Sequence, residues 1–404
     1  MSQPKDAAKT KPDQVVSVAS SRQSLDQFLP PKRLRGIQKS VIRQLFDRAP
    51  AGSINLGLGE PDLATPEVIR ATGVRIISER KNGYTAQAGL ASLRELVAAD
   101  YPQLQLTPDQ VVITAGSQEA MYLALMTLVD EGDEVLLPNP GFVAYPTIVQ
   151  MAGGSSAFYR LPSERDFAFD VNEFRRYITP RTKVVVCCSP SNPTGRSLSS
   201  ADLESIAGAL AGTGAYLISD EIYRDLYYAT ERPASASSFY DRTIIISGLS
   251  KSMSMTGWRL GWICGDLDVI RTALVLHGYV TTCASAISQK AALAAWTPEA
   301  EACRQEFRKT FSQRRDHLLS LISLDLGRRA VAPDGAFYTM VEVSDCGSSL
   351  QVAERLLDHG VITVPGGAFG SESEGFLRVS FCADIASLTE GVSRMKAALA
   401  SFNP

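Results

Sequence analysis

A lysine and an arginine lie close together in the segment SGLSKSMSMTGWRLGW, residues 247–262, directly after the apolar run TIII. Lys251 follows a run that is typical of a buried strand, and a buried lysine either loses its charge or forms a covalent Schiff base with a ligand. Arg259, eight residues later, would lower the pKa of such a lysine and could bind a phosphate group. The alternative is an exposed lysine beside an ordinary ion pair, which is the commoner arrangement for a single lysine.

The segment Gly116-Ser117-Gln118 opens a predicted helix directly after a predicted strand at residues 111–114. The free backbone N–H groups at a helix start, together with the helix dipole, form a binding site for an anion. An ordinary serine N-cap would have the same sequence, so both interpretations stay open on these residues alone.

Polar residues also follow two other apolar runs. Asp220 ends the run YLIS and is followed by Tyr223 in SDEIY, and a carboxylate at that point needs a partner. The partner would be a protonated ring nitrogen of a ligand, or an arginine or lysine of the protein. Asn192 lies between two prolines in SPSNPTG, where its amide could donate to a ligand oxygen or could serve only a turn.

One aromatic residue and a second arginine complete the candidates. Phe142, in PNPGF, would stack on the ring of a ligand or belong to the core. Arg378 lies within the apolar strand pattern GFLRVSF. An arginine at such a position indicates bidentate binding of a carboxylate, or else a structural ion pair.

The order of elements predicts where these residues meet. From about residue 85 to residue 290, short apolar runs alternate with helical patterns, which predicts an α/β fold with a largely parallel, doubly wound sheet. Ligands bind outside the carboxyl ends of the strands in such sheets, so the loops that carry the candidates should converge on one crevice. After about residue 295 the pattern predicts a smaller α+β domain, against which the amphipathic segment at residues 34–49 should pack.

Composition excludes several classes of function. The net charge of −3 gives no support for nucleic-acid binding, and no apolar run approaches the ~20 residues that cross a membrane. Seven cysteines without a CxxC pair fit a reduced, cytoplasmic compartment better than a disulfide framework. The three histidines are far apart, so no metal site is expected. GLGEPD and GLSKS lack the glycines of a dinucleotide fingerprint and of a Walker A loop.

Taken together, GLSKSMSMTGWRLG, SPSNPTG and SDEIY resemble the motifs of the class I/II, fold-type I aminotransferases, which use pyridoxal 5′-phosphate (PLP). The resemblance extends from about residue 33 to the C-terminus. It implies a large domain with a mostly parallel seven-stranded sheet flanked by helices, and a smaller α+β domain. The implied division is a flexible arm at residues 1–29, small-domain residues 30–64, a large PLP-binding domain at 65–295 and a small C-terminal domain at 296–404.

The resemblance also implies a role for each candidate residue. Lys251 would bind the cofactor covalently and move the substrate proton, Asp220 would keep the pyridine nitrogen protonated, and Tyr223 would assist in catalysis. The remaining implied cofactor contacts are Asn192 and Tyr223 to the ring 3′-oxygen, Phe142 to the ring face, and Ser117, Gln118 and Arg259 to the phosphate. The implied substrate contacts are Arg378 to the α-carboxylate, with Gly59 and Asn192 nearby. Tyr84, in NGYTAQAG, would reach the phosphate of a neighbouring subunit, which implies a homodimer.

Two departures from the family pattern bear on the function. Gly248 stands where many members have a phosphate-binding serine. The segment HGYVTTCASAISQ, residues 277–289, has no arginine for the distal carboxylate of a substrate. We therefore expect an aminotransferase for a neutral, aliphatic or aromatic, L-amino acid that works by a ping-pong mechanism with a 2-oxo acid. The alternatives are a β-eliminating lyase or an oxidase or hydroxylase on the same fold, and more remotely a PLP-binding sensor without catalysis.

Overall fold

A computed structural model describes residues 29–79 and 81–400 of the chain. The predicted arm at residues 1–29, apart from Leu29, lies outside the described residues. Within them, twelve strands form three sheets. The strands are β1 Ile54–Asn55, β2 Val111–Thr114, β3 Glu134–Asn139, β4 Ser155–Arg160, β5 Thr182–Cys188, β6 Tyr216–Asp220, β7 Thr243–Gly248, β8 Gly261–Cys264, β9 Tyr338–Glu342, β10 Val361–Ile362, β11 Val364–Pro365 and β12 Phe376–Ser380.

Helices surround these sheets, and several of them begin with a side-chain cap. The longest, Pro298–Leu324, begins with a proline at its first position and with Thr297, whose side chain accepts from the N–H of Ala300. The α-helices are α1 Val41–Arg48, α2 Glu67–Ser78, α3 Ala91–Ala99, α4 Ser117–Leu128, α5 Ala144–Ala152, α6 Val171–Arg176, α7 Ser200–Leu210, α8 Leu267–Val280, α9 Ala286–Ala292, α10 Pro298–Leu324, α11 Ser349–Asp358 and α12 Ile385–Leu399. None of the helices in the described ranges has the length and apolar character needed to cross a membrane.

The large sheet has seven strands in the order β2-β8-β7-β6-β5-β3-β4. Every neighbouring pair is parallel except the two pairs that contain β8. Strand β7 is buried along its whole length, as its apolar sequence requires in a sheet covered by helices on both faces. The α/β architecture and the mostly parallel seven-stranded sheet expected from the sequence are therefore confirmed.

Strands β4 and β8 of this sheet were not predicted from the apolar runs of the sequence. Strand β4 lies at the edge of the sheet and is half exposed, so its sequence SSAFYR lacks an apolar run. Strand β8 follows the Lys251 segment without an intervening α-helix and runs antiparallel to both of its neighbours. A rule built on alternating strands and helices therefore has no place for it.

The C-terminal part of the chain builds two smaller sheets. Strands β11, β12 and β9 form an antiparallel sheet, whereas β1 pairs in parallel with β10. The pairing of β1 with β10 attaches residues near position 55 to the C-terminal part of the chain. Helix α1 packs on the same part, because Leu45 belongs to its core and Arg48 forms an ion pair with Glu354. The exact domain limits, 30–64, 65–295 and 296–404, stay a prediction.

Candidate active site

The carboxyl ends of the large-sheet strands open into a cleft of about 250 Å³, which is room for several water molecules or a small organic ligand. All the candidate residues from the sequence line this cleft, with the exception of Tyr84, whose side chain is 88% exposed. The candidates brought together are Gly59, Ser117, Gln118, Phe142, Asn192, Asp220, Tyr223, Lys251, Arg259 and Arg378.

Lys251 lies in the loop directly after β7, and its Nζ donates a hydrogen bond to the carbonyl oxygen of Gly59 at 2.7 Å. Burial is the largest cause that lowers the pKa of Lys251, and the charges of Arg378 and Arg259 lower it further. Cys382 and Glu60 act in the opposite direction and raise the pKa, but the net shift is downward. The amino group is therefore uncharged in a larger fraction of molecules than that of an exposed lysine, as a nucleophile or base requires.

Asp220 ends β6 and is buried in the same cleft. Burial raises its pKa to about 6, although hydrogen bonds from Tyr145 and from the N–H of Ile222 oppose the shift. The Tyr145 hydroxyl donates to Oδ2 at 2.8 Å, and the Ile222 N–H donates to Oδ1 at 3.2 Å. A cation brought next to this carboxylate would favour its ionised form, so the site is suited to a protonated ring nitrogen.

The start of α4 forms a cradle suited to an anion. Its N-cap, Gly116, has a φ of +94° and no side chain, so the first N–H groups of the helix receive no side-chain cap. A Cβ at Gly116 would lie 2.5 Å from Nη2 of Arg259, which shows how closely the guanidinium approaches this backbone. Ser117 and Gln118 begin the helix at that point, so backbone donors and a guanidinium face one small region.

Arg378 is 3% exposed, and no carboxylate of the described residues lies within ion-pair distance of it. Its Nη1 donates to Oδ1 of Asn192 at 2.7 Å, its Nη2 donates to the carbonyl of Gly57, and its Nε has no partner in the described part of the chain. The guanidinium carbon also lies 4.2 Å from the centre of the Tyr338 ring. The alternative of a structural ion pair is wrong for the described residues, and a buried unpaired guanidinium indicates an anionic ligand.

Gly59 approaches the Tyr338 hydroxyl so closely that a Cβ would lie only 1.7 Å from this oxygen. Any larger residue would displace either the loop at residues 57–60 or the tyrosine, so glycine is required here. The Tyr338 hydroxyl in turn lies 2.9 Å from that of Tyr223, which links β9 of the C-terminal part to the loop after β6. The cleft is therefore lined by both halves of the chain, which this contact joins.

Sequence reasoning missed Tyr145 and Tyr338, both of which line the cleft. Both are almost fully buried, at 1% and 2% exposure, and a buried tyrosine in an apolar stretch cannot be told from a core residue by pattern alone. The position of Tyr145, three residues after Phe142 in the same loop and helix, is the only signal that could have identified it.

The residues of the cleft supply a chemical partner for each functional group of PLP. A phosphate needs a cradle such as the start of α4 with Arg259, and a pyridine nitrogen needs a carboxylate such as Asp220. An aldehyde needs an amine of lowered pKa, which Lys251 provides. The fit rests on this donor set, which no single motif would have established.

Comparisons with known proteins agree with this geometry. The family described as aminotransferase class I and II matches residues 51–395. A probable aspartate aminotransferase of Methanocaldococcus jannaschii is 35% identical over 358 residues, which are 86% of this chain and 94% of that protein. Aromatic-amino-acid aminotransferase 2 of Thermococcus litoralis is 34% identical over 379 residues, 91% of this chain and 97% of that one.

A solved structure of the aspartate aminotransferase of Thermus thermophilus with maleate superimposes with a TM-score of 0.87. It is 32% identical in sequence, and the match covers 92% of this chain and 100% of that one. The chain therefore belongs to the class I and II aminotransferases, the PLP-dependent enzymes that transfer an amino group between an amino acid and a 2-oxo acid.

Proposed function

We propose that this aminotransferase acts on neutral, aliphatic or aromatic, L-amino acids and on a 2-oxo acid acceptor in a ping-pong mechanism. The observation that carries the proposal is that the cations lining the cleft in the described part of the chain are Lys251, Arg259 and Arg378. We assign each of them to the cofactor or to the α-carboxylate. No further cation of the described residues lines the cleft to bind a second carboxylate on the substrate.

The wall of the cleft supports the same choice. Ile42 of α1 and Leu58 present apolar side chains, together with the ring of Tyr338. Such a wall favours an apolar side chain by burial and offers a distal carboxylate no compensation for its lost hydration. Several relatives are described as aspartate aminotransferases, so a dicarboxylic amino acid is the competing substrate class that an experiment has to test.

When bound, PLP supplies an electron sink that stabilises negative charge at the substrate Cα. Lys251 would hold its aldehyde carbon and Asp220 its ring nitrogen, while Asn192 and Tyr223 would donate to or accept from the ring 3′-oxygen. Phe142 would cover the ring face. Ser117, Gln118 and Arg259 would bind the phosphate. Because position 248 is a glycine and has no hydroxyl to add, we propose these three residues as the phosphate donors of this chain.

Arg378 would bind the α-carboxylate of the amino acid and later that of the oxo acid, since both carry this group in the same position. Its contact with Asn192 fixes the guanidinium, and the unpaired Nε is a donor that a carboxylate could use. Lys251, with a lowered pKa, would move a proton between the substrate Cα and the cofactor carbon C4′.

We also propose that the enzyme is a cytoplasmic homodimer in which Tyr84 reaches the phosphate of the neighbouring subunit. Tyr84 is 88% exposed and lies outside the cleft of its own chain. Tyr279, on α8, is 90% exposed and Val275 on the same helix 61%, so this helix presents apolar surface to the outside. Apolar surface of this kind is typical of a subunit interface.

The substrate class is tested by following the absorbance of the PLP enzyme with a panel of amino acids at equal concentration. Neutral aliphatic or aromatic amino acids should convert the cofactor to its pyridoxamine form, and a 2-oxo acid should restore it. Aspartate and glutamate should react at least about tenfold more slowly, because no further cation of the described residues lines the cleft to bind their distal carboxylate. A preference for aspartate would contradict the proposed specificity, and release of ammonia without the pyridoxamine form would contradict transamination.

Replacement of Arg378 by alanine should raise the apparent KM for both the amino acid and the oxo acid by roughly 10- to 150-fold, as expected for the loss of hydrogen bonds to a charged group. Steady-state kinetics with each substrate varied in turn provides the measurement. Arg329→Ala is the matched control, because Arg329 is 41% exposed and forms ion pairs only at the surface. An effect of Arg378→Ala on one of the two substrates alone would exclude a shared carboxylate site.

Replacement of Tyr145 by phenylalanine should shift the pH dependence of PLP binding. The Tyr145 hydrogen bond lowers the pKa of Asp220, so its loss should raise this pKa above its value of about 6. Ionised Asp220 would then require a higher pH, and the acid limb of PLP affinity should move upward. Tyr159→Phe is the control, since the Tyr159 hydroxyl is also buried but donates to the carbonyl of Val186. An acid limb that stays unchanged in Tyr145→Phe would refute the role of Asp220 as the partner of the ring nitrogen.

A further inference from the structure

The carboxylate of Glu119, in the first turn of α4, bridges two elements next to the anion cradle. Its Oε1 accepts from the Thr281 hydroxyl at 2.6 Å and lies 2.9 Å from Nδ1 of His277, at the end of α8. Its Oε2 accepts from the backbone N–H of Ala115, the residue before the N-cap of α4. The carboxylate therefore connects α8 with the turn between β2 and α4.

These contacts hold Glu119 as an anion. Burial raises the pKa of Glu119, but the hydrogen bonds from His277, Thr281 and Ala115 lower it more, so the net shift is downward. An ionised carboxylate can only accept hydrogen bonds, so Nδ1 of His277 must carry the proton that faces it. His277 is completely buried, and its Nε2 has no hydrogen-bond partner in the described part of the chain. Among the described residues, the ring is therefore held by the hydrogen bond from Nδ1 to Glu119.

Ala115 connects this cluster to the cradle. The N–H of Ala115 is bound by Glu119, while its carbonyl oxygen accepts from Nη2 of Arg259 at 3.3 Å. The following residue, Gly116, has so little space that a Cβ would approach the same guanidinium to 2.5 Å. A shift of the Ala115 peptide would therefore move both Arg259 and the first N–H groups of α4.

The direction in which the Glu119 side chain points also decides whether its carboxylate competes with a phosphate for the first N–H groups of α4. A carboxylate in the first turn of a helix is favoured by the helix dipole, and so is a bound phosphate, so the two anions would compete for the same donors. The hydrogen bonds to His277, Thr281 and Ala115 occupy both oxygens of Glu119 with other donors. The N–H groups of Ser117 and Gln118 stay available.

We propose that Glu119, held by His277 and Thr281, is a positioning residue that orders the turn before α4 for the cofactor phosphate. This inference rests on the proposed phosphate contacts of Ser117, Gln118 and Arg259. It assigns no chemical step to Glu119, because the residue acts through the Ala115 peptide and through Arg259. The expected effect is on PLP affinity, and it should depend on the phosphate group.

The test compares PLP with pyridoxal, which lacks the phosphate, in titrations of the full-length enzyme after removal of its cofactor. Glu119→Ala should weaken PLP binding at least about fivefold, since one charged acceptor is lost, and leave the affinity for pyridoxal unchanged. Glu119→Gln keeps an acceptor for the Ala115 N–H and should recover most of the affinity. Thr281→Val, which removes one of the two side-chain donors, should give a smaller loss of the same kind and serves if Glu119→Ala does not fold.

Glu134→Ala is the matched control. The carboxylate of Glu134 is also held by side chains: Oε1 accepts from Thr179 at 3.0 Å and from Thr182 at 3.2 Å, and Oε2 accepts from Arg181 at 3.3 Å. Glu134 lies at the start of β3 and does not line the cleft. This variant should lose stability without losing PLP affinity. An equal loss of PLP and pyridoxal binding in Glu119→Ala, or no loss of either, would overturn the inference.

Arg259→Ala separates this inference from the proposal on which it rests. A weaker PLP affinity in Arg259→Ala together with unchanged affinity in Glu119→Ala would overturn the role of Glu119 alone. Unchanged PLP affinity in Arg259→Ala would overturn the phosphate cradle itself, and the positioning role with it.

Discussion

The rest of this structure depends on one constraint: the part-buried amine of Lys251 and the buried carboxylate of Asp220 share one cleft. Lys251 and Asp220 both lose hydration, and burial is the largest cause of the lowered pKa of the first and of the raised pKa of the second. Neither group finds a full ionic partner within the described residues. A fold tolerates such a pair where a ligand supplies the missing interactions, which is the situation of a PLP enzyme.

The sheet explains how one chain can place so many polar groups around this pair. Parallel strands β5, β6 and β7 end at the same edge, so Asn192, Asp220 and Lys251 meet although they are distant in sequence. The C-terminal part adds Arg378 on β12, which donates to Asn192 across the cleft. The cleft is thus built from two halves of the chain, and substrate binding at Arg378 would act directly on their contact.

The sequence allowed the fold class and the candidates at the strand ends to be predicted, because buried strands and turns leave local signals. Asp220 follows an apolar run, and Arg378 interrupts one, so both are visible as exceptions to a pattern. Tyr145 and Glu119 could not be found in this way, because their roles depend on distant partners. The partner of Tyr145 is 75 residues away and that of Glu119, His277, is 158 residues away. Strand β8 was missed for the related reason that its pairing, and not its pattern, makes it a strand.

The measurement that tests this account most directly is the turnover of Lys251→Ala, with its PLP content and absorbance determined on the same sample. Transamination should be lost, since no other amine of the described residues lines the cleft, while PLP should still bind without the absorbance shift of a covalent bond to lysine. Lys396→Ala, on the exposed side of α12, should retain full activity. Transamination by Lys251→Ala at the rate of the unmodified enzyme would contradict the assignment of this cleft.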